Sequence, residues 1–214
     1  MNDLTIDLPD ADATRAFGLA LARELRAGDL VMLTGDLGAG KTTLTQGIGT
    51  GLGVRGQVAS PTFIIARVHP PLADGPYLVH VDAYRLGSLD EVEALDLDAS
   101  LDESVTVVEW GQDLVESLAE DRLEITIERP RGGLGVSAGS DGTDDGLDSP
   151  EAGVRHVTVR AVGDRWAGFE RAAAALRAAV VASVESSGEP DDTAGPRAEG
   201  SGMQELAADP SAEK

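Results

Sequence analysis

The residues with the clearest chemical signature form a glycine-rich segment in the first quarter of the chain. Gly35, Gly40, Lys41 and Thr42 have the spacing Gly-x-x-x-x-Gly-Lys-Thr, which is the pattern of a phosphate-binding loop. In such a loop the backbone N–H groups face the phosphate oxygens, and the lysine reaches the β- and γ-phosphates of a nucleoside triphosphate. The hydroxyl of Thr42 is then the expected ligand of a magnesium ion.

The surroundings of this segment distinguish a phosphate site from a glycine-rich turn that arose by chance. An apolar run at 29–34 predicts a strand directly before the glycines, and a helix is predicted from about Lys41 to Leu52 directly after them. This arrangement places the positive end of the helix dipole beside the phosphates. We therefore predict a nucleotide site. Its cofactor-binding residues in the loop are predicted to be Leu37, Gly38, Ala39, Gly40, Lys41, Thr42 and Thr43.

Two carboxylates are candidates for holding magnesium or its bound water. A nucleotide site of this type needs an acidic side chain where a neighbouring apolar strand ends. Glu109 follows the apolar run 105–108, and Asp82 ends the run 77–82. Position along the chain does not choose between them, and each also fits a solvated acid where a strand emerges from a sheet.

Missing motifs narrow the class of nucleotide-binding protein. Asn2 is the only asparagine, and Lys41 and Lys214 are the only lysines, so the Asn/Thr-Lys-x-Asp motif that reads guanine in GTPases is not present. A Leu-Ser-Gly-Gly-Gln-like signature of transporter ATPases is also missing. These observations favour ATP over GTP. Two alternatives stay open, a small-molecule kinase and a nucleotide-gated binding module with negligible turnover.

Composition limits the partners of the protein. The 214 residues include 38 acidic and 17 basic side chains, which gives a formal net charge of −21. Because proteins bind nucleic acid largely through basic residues, we expect contact with RNA only through a basic partner. The chain has no cysteine, which excludes disulfides and thiolate metal sites. No segment has the pattern of a signal peptide or a membrane span, so we expect a cytoplasmic protein without membrane contact.

The apolar pattern predicts one α/β domain over residues 1–185 that positions these groups. Besides 29–34, strands are predicted at 4–8, 63–68, 77–82, 105–109, 123–128 and 154–162, and helices from 10 or 12 to about 26 and from 165 to about 184. The runs 30–33 and 105–108 are continuously apolar, as in strands covered on both faces. The last two strands alternate, which predicts an antiparallel pair. We expect three layers around a mixed, mainly parallel sheet.

Two segments carry too little apolar surface to be expected in a packed core. The segment 131–153 is rich in Gly, Ser and Asp and joins the last two predicted strands, so we predict a long flexible loop inserted in the domain. The segment 186–214 is polar and acidic and contains three prolines, Pro190, Pro196 and Pro210. We predict that it is a disordered tail.

Four motifs, taken in order, resemble the TsaE (YjeE) family. They are the phosphate loop extended to 35–43, Ser-Pro-Thr-Phe at 60–63, His-Val-Asp-Ala-Tyr-Arg-Leu at 80–86, and Glu-Trp at 109–110. That family is the ATPase subunit of the bacterial machinery that makes threonylcarbamoyladenosine in tRNA. The resemblance implies a P-loop NTPase fold, ATP and Mg²⁺ as cofactors, and TsaD and TsaB, which form the transferase core, as partners.

The resemblance also implies catalytic roles for matching positions. Lys41 would bind the phosphates, and Thr42 and Glu109 would be the magnesium ligands. Asp82 lies in a segment that resembles a nucleotide-sensing switch and would be needed for hydrolysis, so Lys41, Asp82 and Glu109 are the expected catalytic residues. We assign no role to His80, because a single histidine in a strand more often fills space than takes part in catalysis.

The remaining matches concern the rim of the site. The 60–63 loop resembles the second switch, although a turn that leads into a strand has the same pattern. Thr14 and Arg155 match positions that touch the base end of the nucleotide, and Trp110 is expected near the nucleotide, at a partner surface or in the core. Arg85 is the nearest candidate for an arginine finger. Because no clear finger is present, we expect slow hydrolysis by the isolated protein and activation by its partners.

Overall fold

The computed structural model describes residues 3–130 and 153–187. Residues 131–152 of the predicted loop, and the predicted tail from 188 onward, lie outside these ranges. The strands are β1 (Asp3–Leu8), β2 (Leu30–Thr34), β3 (Ala66–His69), β4 (Tyr77–Asp82), β5 (Ser104–Glu109), β6 (Arg122–Glu128) and β7 (Arg155–Val162). The α-helices are α1 (Ala11–Leu21), α2 (Lys41–Gly51), α3 (Leu89–Glu93), α4 (Asp98–Leu101) and α5 (Phe169–Ser187).

Across the described ranges, the strands form one seven-stranded sheet in the order β1-β7-β6-β2-β5-β4-β3. The four central strands β6, β2, β5 and β4 are parallel to one another. β3 pairs antiparallel with β4 at one edge, and β7 pairs antiparallel with β6 and β1 at the other. The prediction of a mixed, mainly parallel sheet is therefore confirmed, and antiparallel strands lie at both edges of the sheet. The parallel centre brings the carboxyl ends of β2, β4 and β5 to the same side.

Two apolar cores cover the two faces of the sheet and give the fold its three layers. Along β2, Val31 and Leu33 lie in the larger core, whereas Leu30 and Met32 lie in the smaller one. This alternation follows from the period of two in a strand and explains why β2 reads as continuously apolar. The larger core includes residues of α1, α2 and α5. The smaller core is closed by short elements, including Val92 of α3.

Some predicted boundaries differ from the structure for local reasons. The strand predicted at 63–68 begins only at Ala66, because the N–H groups of Ile64 and Ile65 both donate to the carbonyl of Pro61 and Ile65 has a positive φ of 67°. These bonds turn the backbone before it can join the sheet. The short helices α3 and α4 were not predicted, since four or five residues carry too little periodic pattern.

The predicted helices at both ends of the domain are shorter at one terminus. α1 ends at Leu21 and continues as a tight turn, in which the N–H of Glu24 donates to the carbonyl of Leu21. α5 begins at Phe169, after Gly168 with a φ of 82°. No helix within the described ranges has the length and apolar character to cross a membrane.

Candidate nucleotide-binding site

The glycine-rich segment connects the end of β2 to the start of α2, and its backbone requires glycine at both fixed positions. Gly35 has a φ of 148°, and a Cβ atom added there would lie 2.2 Å from the carbonyl oxygen of Ile127. Gly40 has a φ of 117° and caps α2 in the left-handed conformation. Any side chain at these positions would be strained. The curled backbone therefore leads directly into the N-terminus of α2, where N–H groups attract anions.

Lys41 is almost fully buried beside this loop, with 5% of its surface exposed. Its Nζ donates to the carbonyl oxygens of Gly35 at 2.7 Å and Asp36 at 2.9 Å. Its ammonium group also lies 3.9 Å from the centroid of the Trp110 ring. Burial lowers the pKa of Lys41, and the negative charges of Glu109, Asp82 and Asp36 oppose that shift. The lysine is thus held by two neutral carbonyl oxygens close to where phosphate oxygens would bind.

A second group of contacts joins the phosphate loop to the end of β5. The hydroxyl of Thr42 donates to Oε1 of Glu109 at 2.9 Å, and Nε2 of His80 lies 2.8 Å from the same oxygen. Glu109 and His80 are both buried. A hydroxyl and a carboxylate are hard oxygen donors, which suit Mg²⁺. The contact between Thr42 and Glu109 therefore fits the magnesium pair that the sequence resemblance implies.

Asp82 has different partners, which lie on the 60–63 loop. Its Oδ2 accepts hydrogen bonds from Ser60 Oγ at 3.0 Å and from Thr62 Oγ1 at 2.5 Å. Its Oδ1 accepts from the backbone N–H of Tyr84 at 3.1 Å, at the start of the 3₁₀ turn Ala83–Arg85. The two segments that resemble switches are thus tied to each other through one buried carboxylate.

These groups surround a cavity of about 230 Å³. Six of the seven predicted loop residues line it, namely Leu37, Gly38, Gly40, Lys41, Thr42 and Thr43. Asp82, Glu109, Ser60, Thr62 and Trp110 form the rest of the wall. Ala39 is buried beneath the loop and is not part of the lining. The structure therefore brings together all three residues predicted to be catalytic.

Trp110 lines the cavity and is not a member of either apolar core, while its contact with a nucleotide or a partner stays a prediction. Its backbone N–H donates to the carbonyl of Leu33 at 3.0 Å, and its φ of 62° is unusual for a large side chain. Its ring lies 5.2 Å from the ring of Tyr84. Trp110, Ser60 and Thr62 belong to the site, but the sequence did not predict their contacts. All three lie within motifs that the sequence analysis identified.

Three residues that the sequence pointed to lie outside the cavity lining. Thr14 and Arg155 are completely buried behind the loop, where a Cβ atom on Gly40 would lie 3.7 Å from Arg155 Nε and 3.9 Å from Thr14 Cγ2. Burial lowers the pKa of Arg155. Their contact with the base end of a nucleotide stays a prediction. Arg85 is exposed, and its guanidinium lies 4.9 Å from the centroid of the Phe63 ring.

The number of acidic groups also bears on how a metal would be held. Within the described ranges, no cluster of three or more His, Cys, Asp or Glu side chains could bind a metal ion by itself. Magnesium at nucleotide sites commonly uses one or two protein ligands and completes its shell with phosphate oxygens and water. The pair Thr42 and Glu109 fits that mode of binding.

A strand, a glycine-rich loop and a helix at the carboxyl edge of a three-layer α/β sheet define a P-loop NTPase-like fold. A crystal structure of Bacillus subtilis YdiB has the same architecture, with a TM-score of 0.56 and 31% sequence identity over 80% of this chain and 94% of that one. The family model for threonylcarbamoyl adenosine biosynthesis protein TsaE matches residues 8–133, which is more than half of the chain. The chain belongs to the TsaE family.

Individual relatives support this assignment. A tRNA threonylcarbamoyladenosine biosynthesis protein TsaE from Streptomyces coelicolor is 62% identical over 154 residues, covering 72% of this chain and 93% of the relative. A TsaE protein from Mycobacterium bovis is 46% identical over a region that covers 58% of this chain and 79% of the relative. A TsaE protein from Bacillus subtilis is 38% identical over a region that covers 72% of this chain and 84% of the relative. The similarity therefore extends over most of the length of each relative.

Proposed function

We propose that this protein is a magnesium-dependent ATPase whose nucleotide cycle drives or resets the TsaB–TsaD complex that forms threonylcarbamoyladenosine in tRNA. The observation that carries the proposal is the 2.9 Å hydrogen bond between Thr42 of the phosphate loop and Glu109 at the end of β5. It joins the two oxygen groups that a nucleotide-bound magnesium ion requires, beside the buried ammonium of Lys41.

Each residue of the site has a distinct task in this proposal. The loop N–H groups and Lys41 bind the phosphates, and phosphate oxygens replace the carbonyls of Gly35 and Asp36 as partners of the ammonium group. Thr42 and Glu109 hold Mg²⁺, which offsets the negative charge that develops on the phosphates. Asp82 holds the 60–63 loop next to the γ-phosphate position, where a water molecule would attack.

The connection between the two switch segments supports coupling to a partner. Loss of the γ-phosphate removes contacts that order such segments, and Asp82 links both of them. The same segments and the phosphate loop expose large apolar side chains, including Leu37 at 85%, Phe63 at 86% and Tyr84 at 65%. Exposed apolar groups of this kind are typical of protein interfaces. We propose that they contact TsaB or TsaD in the cytoplasm, and that tRNA is met only indirectly.

The rate of hydrolysis distinguishes this proposal from a nucleotide-gated binding module. Within the described ranges no arginine lines the cavity, and Arg85 stacks on Phe63 instead. This arrangement favours slow turnover in isolation, because an arginine near the γ-phosphate contributes strongly to phosphoryl transfer. The binding module is therefore the second candidate function.

The proposal is tested by measuring phosphate release from ATP with and without TsaB and TsaD. Wild-type protein, Lys41→Ala and Glu109→Gln are compared at the same magnesium concentration. We expect the partners to raise the wild-type rate, Lys41→Ala to bind nucleotide about 100-fold more weakly, and Glu109→Gln to bind nucleotide but lose magnesium-dependent turnover. Negligible turnover with the partners present would favour the binding module, and turnover that requires a small phosphate acceptor would favour a small-molecule kinase.

A further inference from the structure

His80 is a buried polar residue that the mechanism above does not use. It lies in the middle of β4, where its side chain has no exposed surface. Burial of an imidazole carries a desolvation cost that an apolar side chain would avoid. Its Nε2 lies 2.8 Å from Oε1 of Glu109, 29 positions later in the chain. Its Nδ1 is buried without a hydrogen-bond partner in the described part of the chain. The contact with Glu109 is therefore the interaction that offsets this cost.

The chemistry of this contact defines the direction of the hydrogen bond. An ionised carboxylate can only accept, so Nε2 of His80 must carry the proton and donate it to Oε1 of Glu109. Thr42 Oγ1 donates to the same oxygen. Both of these hydrogen bonds therefore end on Oε1, and Oε2 is left to interact with a ligand in the cavity. Two donors that converge on one oxygen hold the plane of the carboxylate in one orientation.

Strand geometry places His80 so that it can do this. Residues two apart in a strand point to the same face, so His80 shares a face with Asp82, while Val79 and Val81 lie in the smaller core. One end of β4 thus supports two parts of the site. Asp82 accepts from Ser60 and Thr62 of the switch loop, and His80 donates to the carboxylate at the end of β5.

We propose that His80 is a positioning residue that orients Glu109 for magnesium. This inference rests on the proposed function, because it takes Glu109 to be a magnesium ligand. Hydrogen-bond partners of metal ligands commonly change metal affinity by about 10- to 100-fold when they are removed. His80 is not part of the cavity lining, so its loss should weaken the response to magnesium while nucleotide affinity without the metal stays close to that of wild type.

The test compares His80→Gln with His80→Asn, because the two side-chain amides differ only in the length of the side chain. The amide nitrogen of glutamine can occupy the place of Nε2 and donate to Glu109, whereas that of asparagine is too short. His80→Leu removes the donor without burying an amide and serves if His80→Asn does not fold, as judged by circular dichroism. His69→Gln is the matched control, since His69 is also a buried histidine with one ring nitrogen, here Nε2, that has no hydrogen-bond partner in the described part of the chain.

The measurement is binding of a non-hydrolysable ATP analogue by calorimetry, first with EDTA and then at increasing magnesium concentrations. We expect His80→Asn or His80→Leu to need about tenfold more magnesium for its half-maximal effect, with little change in EDTA. His80→Gln and His69→Gln should stay close to wild type. Glu109→Gln should lose the magnesium response.

Three results would overturn the inference. If His80→Asn and His80→Leu respond to magnesium like wild type while Glu109→Gln does not, His80 does not position Glu109 and the proposed function stands. If these variants lose affinity equally in EDTA and in magnesium, the role of His80 is structural. If the wild-type protein shows no magnesium response, the proposed function and this inference fail together.

Discussion

Two ends of the central strand β2 carry similar chemical groups in different arrangements. At its amino end, Arg165 binds Asp29 through two hydrogen bonds, from Nε to Oδ1 at 3.1 Å and from Nη2 to Oδ2 at 3.0 Å. Nη2 also donates to the carbonyl of Glu24 at 2.7 Å, and the guanidinium lies 4.2 Å from the centroid of the Trp166 ring. The cation and the carboxylate bind each other directly at this end, and the N–H of Arg26 donates a further hydrogen bond to Oδ2 of Asp29 at 2.8 Å.

At the carboxyl end, a cation also stacks on a tryptophan close to a buried carboxylate. Lys41 lies against Trp110, yet its hydrogen bonds go to the carbonyls of Gly35 and Asp36 and not to Glu109. These partners can be replaced by phosphate oxygens. The comparison indicates that the direct ion pair between Arg165 and Asp29 stabilises the fold. Lys41 and Glu109 line the same cavity without binding each other, so both groups are available to a ligand.

The largest effect should come from breaking the ion pair between Arg165 and Asp29. Arg165→Ala removes the cation that faces the buried carboxylate of Asp29, which keeps the hydrogen bond from the N–H of Arg26. Breaking a fully buried pair costs about 3–5 kcal/mol of unfolding free energy. Because 19% of the Arg165 side chain is exposed, we expect a loss at the lower end of that range, about 3 kcal/mol. Urea unfolding measures the loss, and nucleotide affinity of the folded protein should not change. Stability within error of wild type, or a loss of nucleotide affinity in the folded variant, would contradict the division between the two ends.

At the carboxyl end of β2, where Lys41 lines the cavity, we expect a large loss of nucleotide affinity and a small loss of stability. Lys41→Ala should reduce ATP affinity by about 100-fold, because hydrogen bonds to charged groups contribute ~1.5–3 kcal/mol and ~1.4 kcal/mol is a factor of ten. The unfolding free energy should fall by less than about 1 kcal/mol, since water can replace the ammonium at the two carbonyls. Calorimetry and urea unfolding together measure both quantities. A stability loss as large as that of Arg165→Ala would show that Lys41 is a structural cation.

The two tryptophans offer a spectroscopic version of the same comparison. Trp110 lines the cavity, whereas Trp166 is buried against Phe169 at the other end of the sheet. Trp110→Leu removes a cation–π contact worth ~0.5–2 kcal/mol. It should also abolish the change in intrinsic fluorescence on ATP binding, and Trp166→Phe should retain that change. A nucleotide-dependent signal that disappears with Trp166 instead would contradict this assignment.

The smallest effect concerns His69, a buried histidine that has no carboxylate partner among the described residues. Burial is the main cause that lowers the pKa of His69. Below pH ~6.5 the unfolded chain therefore binds a proton that the folded chain resists, so the unfolding free energy should decrease as the pH falls. His69→Leu should show a shallower decrease than wild type in urea unfolding between pH 7 and pH 5. Equal slopes would mean that His69 does not contribute.

Much of the fold could be predicted where the apolar pattern is long and regular. The strands β1, β2 and β4 to β7 and the helices α1, α2 and α5 correspond to predicted elements. The start of β3 could not be predicted, because the backbone N–H bonds to Pro61 compete with strand pairing. Strand order also could not be predicted, since it depends on contacts between residues far apart in the chain.

The sequence by itself determined the phosphate loop. The chemistry of this loop depends on local backbone conformation, and the residues that form it are consecutive in the chain. It also placed Glu109 and Asp82 at strand ends. Only the tertiary structure decided which partners they have, namely Thr42 and His80 for Glu109, and the 60–63 loop for Asp82. The physical reason is that these hydrogen bonds depend on the order and register of β2, β5 and β4, which local sequence patterns do not specify.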